Sequence, residues 1–376
     1  MFRSLHNGRV PRDPEIDAVQ QRYRRFAVDE APHRSPLYAQ WAARVAHDAT
    51  LAAVLARVPA AHRSPPLVFA VARMLGCGLC APEKWAAWMI ANADAVVEAA
   101  SERGVQTNEP LRCAALLPAL SRIEGPIALL EVGASAGLCL YPDRYSYRYR
   151  TPTRVVTVDP HDGPSAVVLE AQWRGEAPTL RMPQIVWRAG IDLQPRDAAD
   201  PADRSWLTGL VWPGEGGRAQ RIRAALDIVA ADPPRLVAGD ATTALSGLMA
   251  EAPKTAALVV TTPGVLALVP REGRELIVAA AQSGDHWITM DAAGLHSSVA
   301  GRWAAPEPAA GQATAPGDPT EHGARHPAPE SAQWPNGVFA LAIDGEVIAA
   351  VDPLGAIVEP IGADREWHPV DASTDG

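Results

Sequence analysis

The chain is poor in cysteine and in cationic residues, and it has no long apolar run. Four cysteines in 376 residues are too few for a disulfide framework and favour a reducing compartment. Acidic residues outnumber basic ones by 43 to 34, giving a formal charge of −9, which argues against binding along a phosphate backbone. No run reaches the roughly 18 apolar residues of a membrane span, and residues 1–8 lack the apolar core of a signal peptide. We therefore expect a cytoplasmic protein with no nucleic-acid or membrane partner.

The first 125 residues have the pattern of helices. Apolar residues recur at three- and four-residue steps across residues 38–58, as on the buried face of an amphipathic helix. Ser35-Pro36 before this stretch is typical of a helix start, with a capping side chain and proline at the first helical position. Further helices are predicted over residues 16–29, 64–75, 84–101 and 109–122. We expect residues 1–125 to form a helical N-terminal cap region.

Residues 126–376 predict an α/β domain. Short apolar runs at 127–132, 184–191, 235–238, 256–261 and 286–290 alternate with helical patterns at 201–211, 218–231 and 271–282. Such alternation indicates a doubly wound parallel sheet. Residues 141–184 interrupt it with short strands, predicted to be antiparallel. Residues 304–333 are rich in Pro, Ala and Gly and predict a flexible surface loop. The dipeptide Asp344-Gly345 predicts a C-terminal antiparallel hairpin, since both residues accept positive φ.

The segment Glu131-Val132-Gly133-Ala134-Ser135-Ala136-Gly137 follows the first predicted strand. Glycines in this context let the backbone approach a ligand closely. The segment resembles the acidic-x-Gly-x-Gly-x-Gly motif of class I S-adenosylmethionine-dependent methyltransferases, with serine in place of the middle glycine. The resemblance implies a Rossmann-like sheet and contacts to the methionine part of S-adenosylmethionine from Glu131, Gly133, Ser135 and Gly137. A purely structural turn would give the same pattern.

Two further segments are similar to cofactor-binding positions of that family. Asp192, at the end of the second predicted strand, resembles the acid that accepts hydrogen bonds from the ribose hydroxyls, which suits an acceptor-only carboxylate. Asp159 competes for this role because it lies nearer the glycine motif in sequence. We favour Asp192 because a helix follows it, although either residue could simply end a strand. Asp240 resembles the position that reads the adenine, and its alternative role is to cap the next helix.

Candidates for the substrate side are less specific. Asn108 and Glu109 belong to the polar run 106–109, which could line a binding site. The alternative is capping, with Thr107 or Asn108 supplying the cap oxygen and Glu109 favouring the helix dipole. His296, near the end of the fifth predicted strand together with His286 and Asp291, could face substrate, although a lone histidine is more often structural.

No metal site is expected from the sequence. Cys77 and Cys80 form a lone CxxC pair, whereas zinc would need two more ligands. A thioredoxin-like role would need the pair just after a strand. We interpret the two cysteines as structural thiols.

A narrower resemblance covers nearly the whole chain. Residues 106–112, 131–145 and 210–213, together with the predicted hairpin, resemble a bacterial family catalogued only as a domain of unknown function. The expected function is methyl transfer from S-adenosylmethionine to a small-molecule or protein acceptor. Such transfer depends mainly on alignment, so the lack of a catalytic triad is no objection.

The same residues distinguish two alternative functions. A non-catalytic nucleotide- or partner-binding protein would keep every motif. A nicotinamide-dependent enzyme would need G-x-G-x-x-G, which residues 133–139 lack. We expect a small-molecule ligand as the partner. The sequence does not identify the methyl acceptor or the oligomeric state.

Overall fold

The computed structural model describes residues 13–292, 295 and 337–361. The fold is mixed α/β, with helices and one large open sheet. The chain forms two compact units: unit 1 is Met1–Thr107 with Asp197–Arg223, and unit 2 is Asn108–Arg196 with Ala224–Gly376. The loop predicted over 304–333 and the candidate His296 lie outside the described residues.

The elements of the described residues are as follows. The α-helices are α1 (Pro14–Arg25), α2 (Pro36–His47), α3 (Ala49–Ala56), α4 (Pro65–Met74), α5 (Pro82–Ala91), α6 (Ala93–Ser101), α7 (Arg112–Leu120), α8 (Pro201–Gly209), α9 (Arg218–Ala231), α10 (Ala241–Met249) and α11 (Arg271–Ala281). The strands are β1 (Pro126–Val132), β2 (Ser146–Arg150), β3 (Val155–Val158), β4 (Val168–Trp173), β5 (Gln184–Asp192), β6 (Arg235–Ala238), β7 (Ala257–Pro263), β8 (His286–Asp291), β9 (Phe339–Ile343), β10 (Glu346–Val351) and β11 (Ile357–Pro360).

Helix starts in unit 1 follow the sequence signals, but two predicted helices are broken. Ser35 caps α2 by accepting the Tyr38 N–H, as predicted. The helix predicted over 38–58 breaks at Asp48, which is extended and accepts the N–H of Thr50 for the start of α3. The helix predicted over 84–101 breaks at Asn92, whose side chain donates to the backbone of α5. In both cases a short polar side chain competes with the helical backbone hydrogen bonds.

The core of unit 1 is a cluster of aromatic rings. Its members pack with ring centroids 4.8–6.1 Å apart and are Tyr23, Phe26, Tyr38, Trp41, Phe69, Trp85 and Trp212. Arg73 donates to the backbone oxygens of Gly209 and Val211. Arg34 lies over the Trp212 ring at 3.8 Å and pairs with Glu215 at 2.6 Å. These contacts explain why residues 197–223 belong to the unit of the N-terminal helices.

The sheet of unit 2 has the order β3-β2-β4-β11-β10-β9-β8-β7-β1-β5-β6. Strands β6, β5, β1, β7 and β8 are parallel, and β1 pairs on both sides. The prediction that Glu131 lies on a central parallel strand is therefore confirmed. All five parallel strands end at the same edge, which we call the carboxyl edge. Strands β9 and β10 form the predicted antiparallel hairpin, with Asp344 and Gly345 at φ values of 51° and 81°.

The segment between β1 and β5 contains β2, β3 and β4 and no α-helix. Strands β2 and β3 are antiparallel, as predicted for this segment, whereas β4 runs parallel to β2 and to β11. Two short 3-10 turns, Leu138–Leu140 and Pro142–Arg144, follow the glycine segment. The first crossover of the parallel sheet is thus made of strands.

Candidate functional site

A tight loop of residues 133–137, the glycine loop, follows β1 at the carboxyl edge. Gly133, Ser135 and Gly137 have left-handed φ values of 77°, 50° and 78°. A Cβ on Gly133 would lie 2.7 Å from Val265 Cγ2, so both the backbone and the space require glycine there. Ser135 holds a conformation that costs a non-glycine residue about 1 kcal/mol or more.

Each of the five N–H groups of the glycine loop donates to an acceptor within unit 2. The acceptors are Ile191 O for Gly133 and Ala134, Asp192 Oδ2 for Ser135, Asn108 Oδ1 for Ala136 and Ala134 O for Gly137. Contacts within unit 2 therefore hold the loop in place, and each of its N–H groups already has a hydrogen-bond acceptor.

Asn108 secures this loop. Its amide is buried, donates to Ser135 Oγ and accepts the Ala136 N–H at 3.3 Å. Helix α7 begins at Arg112 with no side-chain cap, so the alternative that Thr107 or Asn108 caps this helix is wrong. The buried Glu109 accepts the Leu111 N–H through Oε1 at 3.0 Å. Asn108 and Glu109 thus connect the start of α7 to the glycine loop, and their lining of a binding site stays a prediction.

Glu131 is a buried carboxyl next to the glycine loop. It is 4% exposed, and its Oε2 has no hydrogen-bond partner among the described residues. Burial raises its pKa well above the ordinary value, the nearby Cys139 and Asp192 raise it further, and Arg112 lowers it. The Arg112 guanidinium donates to Pro263 O at 2.9 Å. The carboxyl edge thus holds an acceptor with unused capacity beside a guanidinium.

Asp192 ends β5 directly against the glycine loop. Its Oδ2 accepts the Ser135 N–H at 2.9 Å and its Oδ1 accepts the Gln194 N–H at 2.8 Å. A Cβ on Gly190 would lie 2.4 Å from the Ala134 Cβ, so β5 and the loop are in close contact. Its role toward ribose stays a prediction, since each carboxylate oxygen can accept a second hydrogen bond.

The other two predicted acids lie in different surroundings. Asp240 is exposed and caps α10 by accepting the Thr242 N–H at 2.8 Å, which lowers its pKa. The neighbouring Gly239 N–H donates to Asp192 O, so this segment borders the candidate site. Asp159 follows β3, the terminal strand at the opposite end of the sheet order from β6, and pairs with Arg148 at 2.8 Å.

The structure adds Arg112 to the candidate site residues and places Asp291, which the sequence set near the end of the fifth predicted strand, at the carboxyl edge. Asp291 ends β8, is 1% exposed, and neither carboxylate oxygen has a hydrogen-bond partner among the described residues. Burial raises its pKa to about 7, against a smaller lowering by Arg112 and by the backbone N–H groups of Leu266, Gly264 and Ala267, which lie near the carboxyl without meeting hydrogen-bond geometry. The sequence signal was available, because Asp291 follows an apolar run as Glu131 and Asp192 do.

His286 was expected at the ligand side, which is incorrect. It begins β8 at the opposite end of the strand from Asp291, and its Nδ1 lies 2.8 Å from Asp344 Oδ2. In the described part of the chain, no group of three or more His, Cys, Asp and Glu side chains is placed to hold a metal ion. Nor does any described helix combine the length and apolarity needed to cross a bilayer.

Comparison with known proteins gives a family but no characterised relative. A family described as an uncharacterized protein conserved in bacteria (DUF2332) matches residues 20–83 and 81–334. No curated protein and no solved structure is significantly similar to the chain. Because the family match extends over most of its length, the chain belongs to this uncharacterized bacterial family.

Proposed function

We propose that the protein binds S-adenosylmethionine at the carboxyl edge and transfers its methyl group to a small-molecule or protein acceptor. The observation that carries this proposal is the buried Glu131, whose Oε2 has no partner among the described residues. A buried polar atom without a partner needs an explanation, and a bound ligand supplies one. A cationic donor on the ligand would fit this carboxyl, because pairing with a cation favours its ionised form.

The N–H groups of the glycine loop already donate to protein acceptors, which favours a cationic ligand over a phosphate. Phosphate sites use unbonded N–H groups at the start of a helix, whereas these five already donate within unit 2. The loop is followed by the 3-10 turn Leu138–Leu140 and not by an α-helix, so no helix N-terminus is available there for a phosphate. S-adenosylmethionine carries an ammonium, a sulfonium and one carboxylate, so it needs fewer donors than a nicotinamide dinucleotide with its two phosphates and fits this site better.

Strand order supports the same location. Numbered along the chain, the parallel strands lie in the order 3-2-1-4-5, which is that of doubly wound sheets. Such sheets bind ligands at the carboxyl edge where the order reverses, beside the first strand. Glu131 and the glycine loop occupy that position, with Asp192 on the neighbouring strand.

The chemistry requires little of the protein beyond placement. The cofactor supplies a methyl group activated by a sulfonium, and its transfer to an acceptor needs alignment and exclusion of water. In the proposed site Glu131 would accept a hydrogen bond from the ammonium group. Asp192 would accept the ribose hydroxyls, and Asn108 would hold the loop that both contact. Asp240 would border the adenine.

The first test is thermal unfolding with S-adenosylhomocysteine. We expect about 2.7 kcal/mol of stabilisation at a hundredfold excess over the dissociation constant, and none with NAD. Gly133→Val should abolish the shift, because the side chain would enter the space of Val265. Gly125→Val is the matched control: its φ of 78° imposes the same strain, yet nothing lies within 4 Å of its Cβ position. An unchanged melting temperature of the wild type at millimolar ligand would contradict the proposal.

Glu131→Gln directly tests the observation on which the proposal rests, the buried Glu131 carboxyl. The substitution keeps the shape but removes the charge, so affinity should fall by about 1.5–3 kcal/mol, the range for hydrogen bonds to charged groups. Affinity for the wild type should rise with pH, because the raised pKa of Glu131 must be overcome before the carboxylate can pair with a cation. Calorimetry at several pH values should show this dependence in the wild type and not in the variant.

One observation favours a non-catalytic binding protein as the second candidate. The side chains at the end of β7 are engaged structurally: Thr262 accepts from Trp287 Nε1, and Thr261 donates to Leu130 O. Neither is an acid or a base. Tight binding of S-adenosylhomocysteine without methyl transfer to any acceptor in a broad substrate screen would support this candidate.

A further inference from the structure

The turn between α4 and α5 brings two thiols together. Cys77 Sγ and Cys80 Sγ are 3.8 Å apart, and both residues are partly exposed. A disulfide needs about 2.05 Å, so the sulfur atoms must approach by about 1.8 Å. Gly76 and Gly78, with φ values of 98° and 70°, have no atom within 4 Å of their Cβ positions. The turn therefore has space to adjust as the bond forms.

The second cysteine pair of the chain provides a comparison. Cys113 and Cys139 are both buried in unit 2, where a disulfide reagent has no direct access. Their Sγ atoms are directed to backbone oxygens, Cys139 O and Glu109 O respectively. Reactivity follows access as well as thiolate character, so the two pairs should differ sharply toward a soluble oxidant.

We propose that Cys77 and Cys80 form a thiol–disulfide exchange site whose substrates are low-molecular-weight disulfides of the glutathione class. The pair follows a helix and not a strand, so it does not have the thioredoxin arrangement. The proposal rests on the two sulfur atoms and their exposure, and it is independent of the function proposed for the carboxyl edge.

The order of attack follows from the surroundings of the two thiols. Burial and the neighbouring Cys80 raise the pKa of Cys77 to about 12, with a small lowering by Lys84. Cys77 is therefore the poorer nucleophile, and we assign the first attack to Cys80, which lies directly before the N-terminus of α5. Its backbone oxygen accepts the Trp41 Nε1–H at 2.9 Å, which fixes this residue ahead of α5.

The exchange proceeds in two balanced steps. The Cys80 thiolate, having lost its proton to water, attacks the glutathione disulfide, forms a mixed disulfide and expels one thiolate. Cys77 then attacks the Cys80 sulfur, and its proton goes to the second leaving thiolate. Two protein thiols are oxidised while one glutathione disulfide is reduced to two glutathione molecules.

The test uses the full chain equilibrated with oxidised glutathione, followed by intact mass measurement and peptide mapping. We expect a species lighter by two hydrogen atoms, with the bond between Cys77 and Cys80, reversed by dithiothreitol. A bond at Cys113 and Cys139, or no loss of two hydrogen atoms over the whole range of glutathione ratios, would overturn the proposal. This measurement needs no variant and so does not depend on a variant folding.

Single substitutions then test the order of attack. Cys77→Ser should trap a stable glutathione adduct on Cys80, because the resolving thiol is gone. In Cys80→Ser the remaining Cys77 should react with glutathione disulfide at least tenfold more slowly than Cys80 does in Cys77→Ser. Circular dichroism verifies that both variants are folded. Equal rates for the two variants would show that the assignment of Cys80 as first nucleophile is wrong.

Discussion

The two units differ in what they bury. In the described part of unit 1, the one buried polar side chain is Ser35, a helix cap. Among the described residues of unit 2, ten polar or charged side chains are buried, which are Asn108, Glu109, Glu131, Ser135, Ser146, Thr261, Thr262, Thr289, Asp291 and Asp352. Burying a carboxyl without a partner is costly, and packing alone does not explain it. The aromatic core therefore lies in unit 1, and the buried carboxyls of the candidate cofactor site lie in unit 2.

The largest expected effect tests the packing half of this comparison. Trp41→Ala removes a ring that contacts Tyr38, Phe69 and Trp85. The free energy of unfolding should fall by about 3–5 kcal/mol, as for other buried aromatic truncations. Urea unfolding at pH 5 and pH 8 should give the same loss, since no titratable group is removed. A loss below about 1 kcal/mol would show that the aromatic cluster does not stabilise unit 1.

Asp291→Asn tests the cost of buried charge in unit 2. The folded pKa of Asp291 is about 7 against an ordinary value of 3.8. Asp291 does not lower the free energy of unfolding below pH 3.8, where the group is protonated in both states. As the pH rises through about 7 the folded protein loses stability, because the carboxyl ionises first in the unfolded state. At pH 8 the variant should be more stable than the wild type by up to about 4 kcal/mol, with almost no difference at pH 4. Equal stability at both pH values would show that Asp291 is not held protonated.

A smaller effect separates the two ribose candidates. Asp192→Ala should weaken binding of S-adenosylhomocysteine by about 1.5–3 kcal/mol, whereas Asp159→Ala should have little effect. Asp192 also accepts the Ser135 N–H, so Asp192→Asn serves as the control that retains one acceptor oxygen. The measurement is calorimetry. The reverse ranking would place the ribose at Asp159, and two small effects would mean that neither acid contacts it.

The smallest effect concerns the strain in the glycine loop. Ser135→Gly and Ser135→Ala both remove the hydroxyl that accepts from Asn108, but only alanine keeps a Cβ at a φ of 50°. The glycine variant should be the more stable by about 1 kcal/mol. Paired chemical denaturation curves measure the difference. The opposite sign would show that the backbone of the loop relaxes when the hydroxyl is lost.

Elements bounded by clear local signals were predicted most closely. Strand β6 and helix α9 have the predicted limits, since Pro233-Pro234 separate the two elements, Gly217 precedes α9 and Gly239 follows β6. The direction of β4 was not predictable, because it depends on pairing with β2 and with the distant β11, and local alternation is the same in both directions. The breaks at Asp48 and Asn92 depend on side-chain hydrogen bonds that a periodic pattern does not contain.

The candidate site also contains residues that local patterns indicate and contacts that they do not. Glu131, Ser135 and Asp192 belong to local motifs at strand ends, so the amino-acid pattern alone indicates them. The tie from Asn108 to the glycine loop joins residues 27 positions apart, and a polar run before a helix equally predicts capping. Arg112 reaches Pro263 across 151 positions. Such contacts follow from the fold and not from any local pattern.

The absence of a helix between β1 and β5 has a consequence for how the chain folds. A helical crossover forms early and locally, but here the central pair β1–β5 encloses the whole 141–184 segment. Closing a long unstructured loop costs conformational entropy before any strand contact compensates for it. Pairing of β2 with β3 and β4 shortens that loop. We therefore expect the β2–β4 segment to gain protection from hydrogen exchange before β5 docks on β1 during refolding.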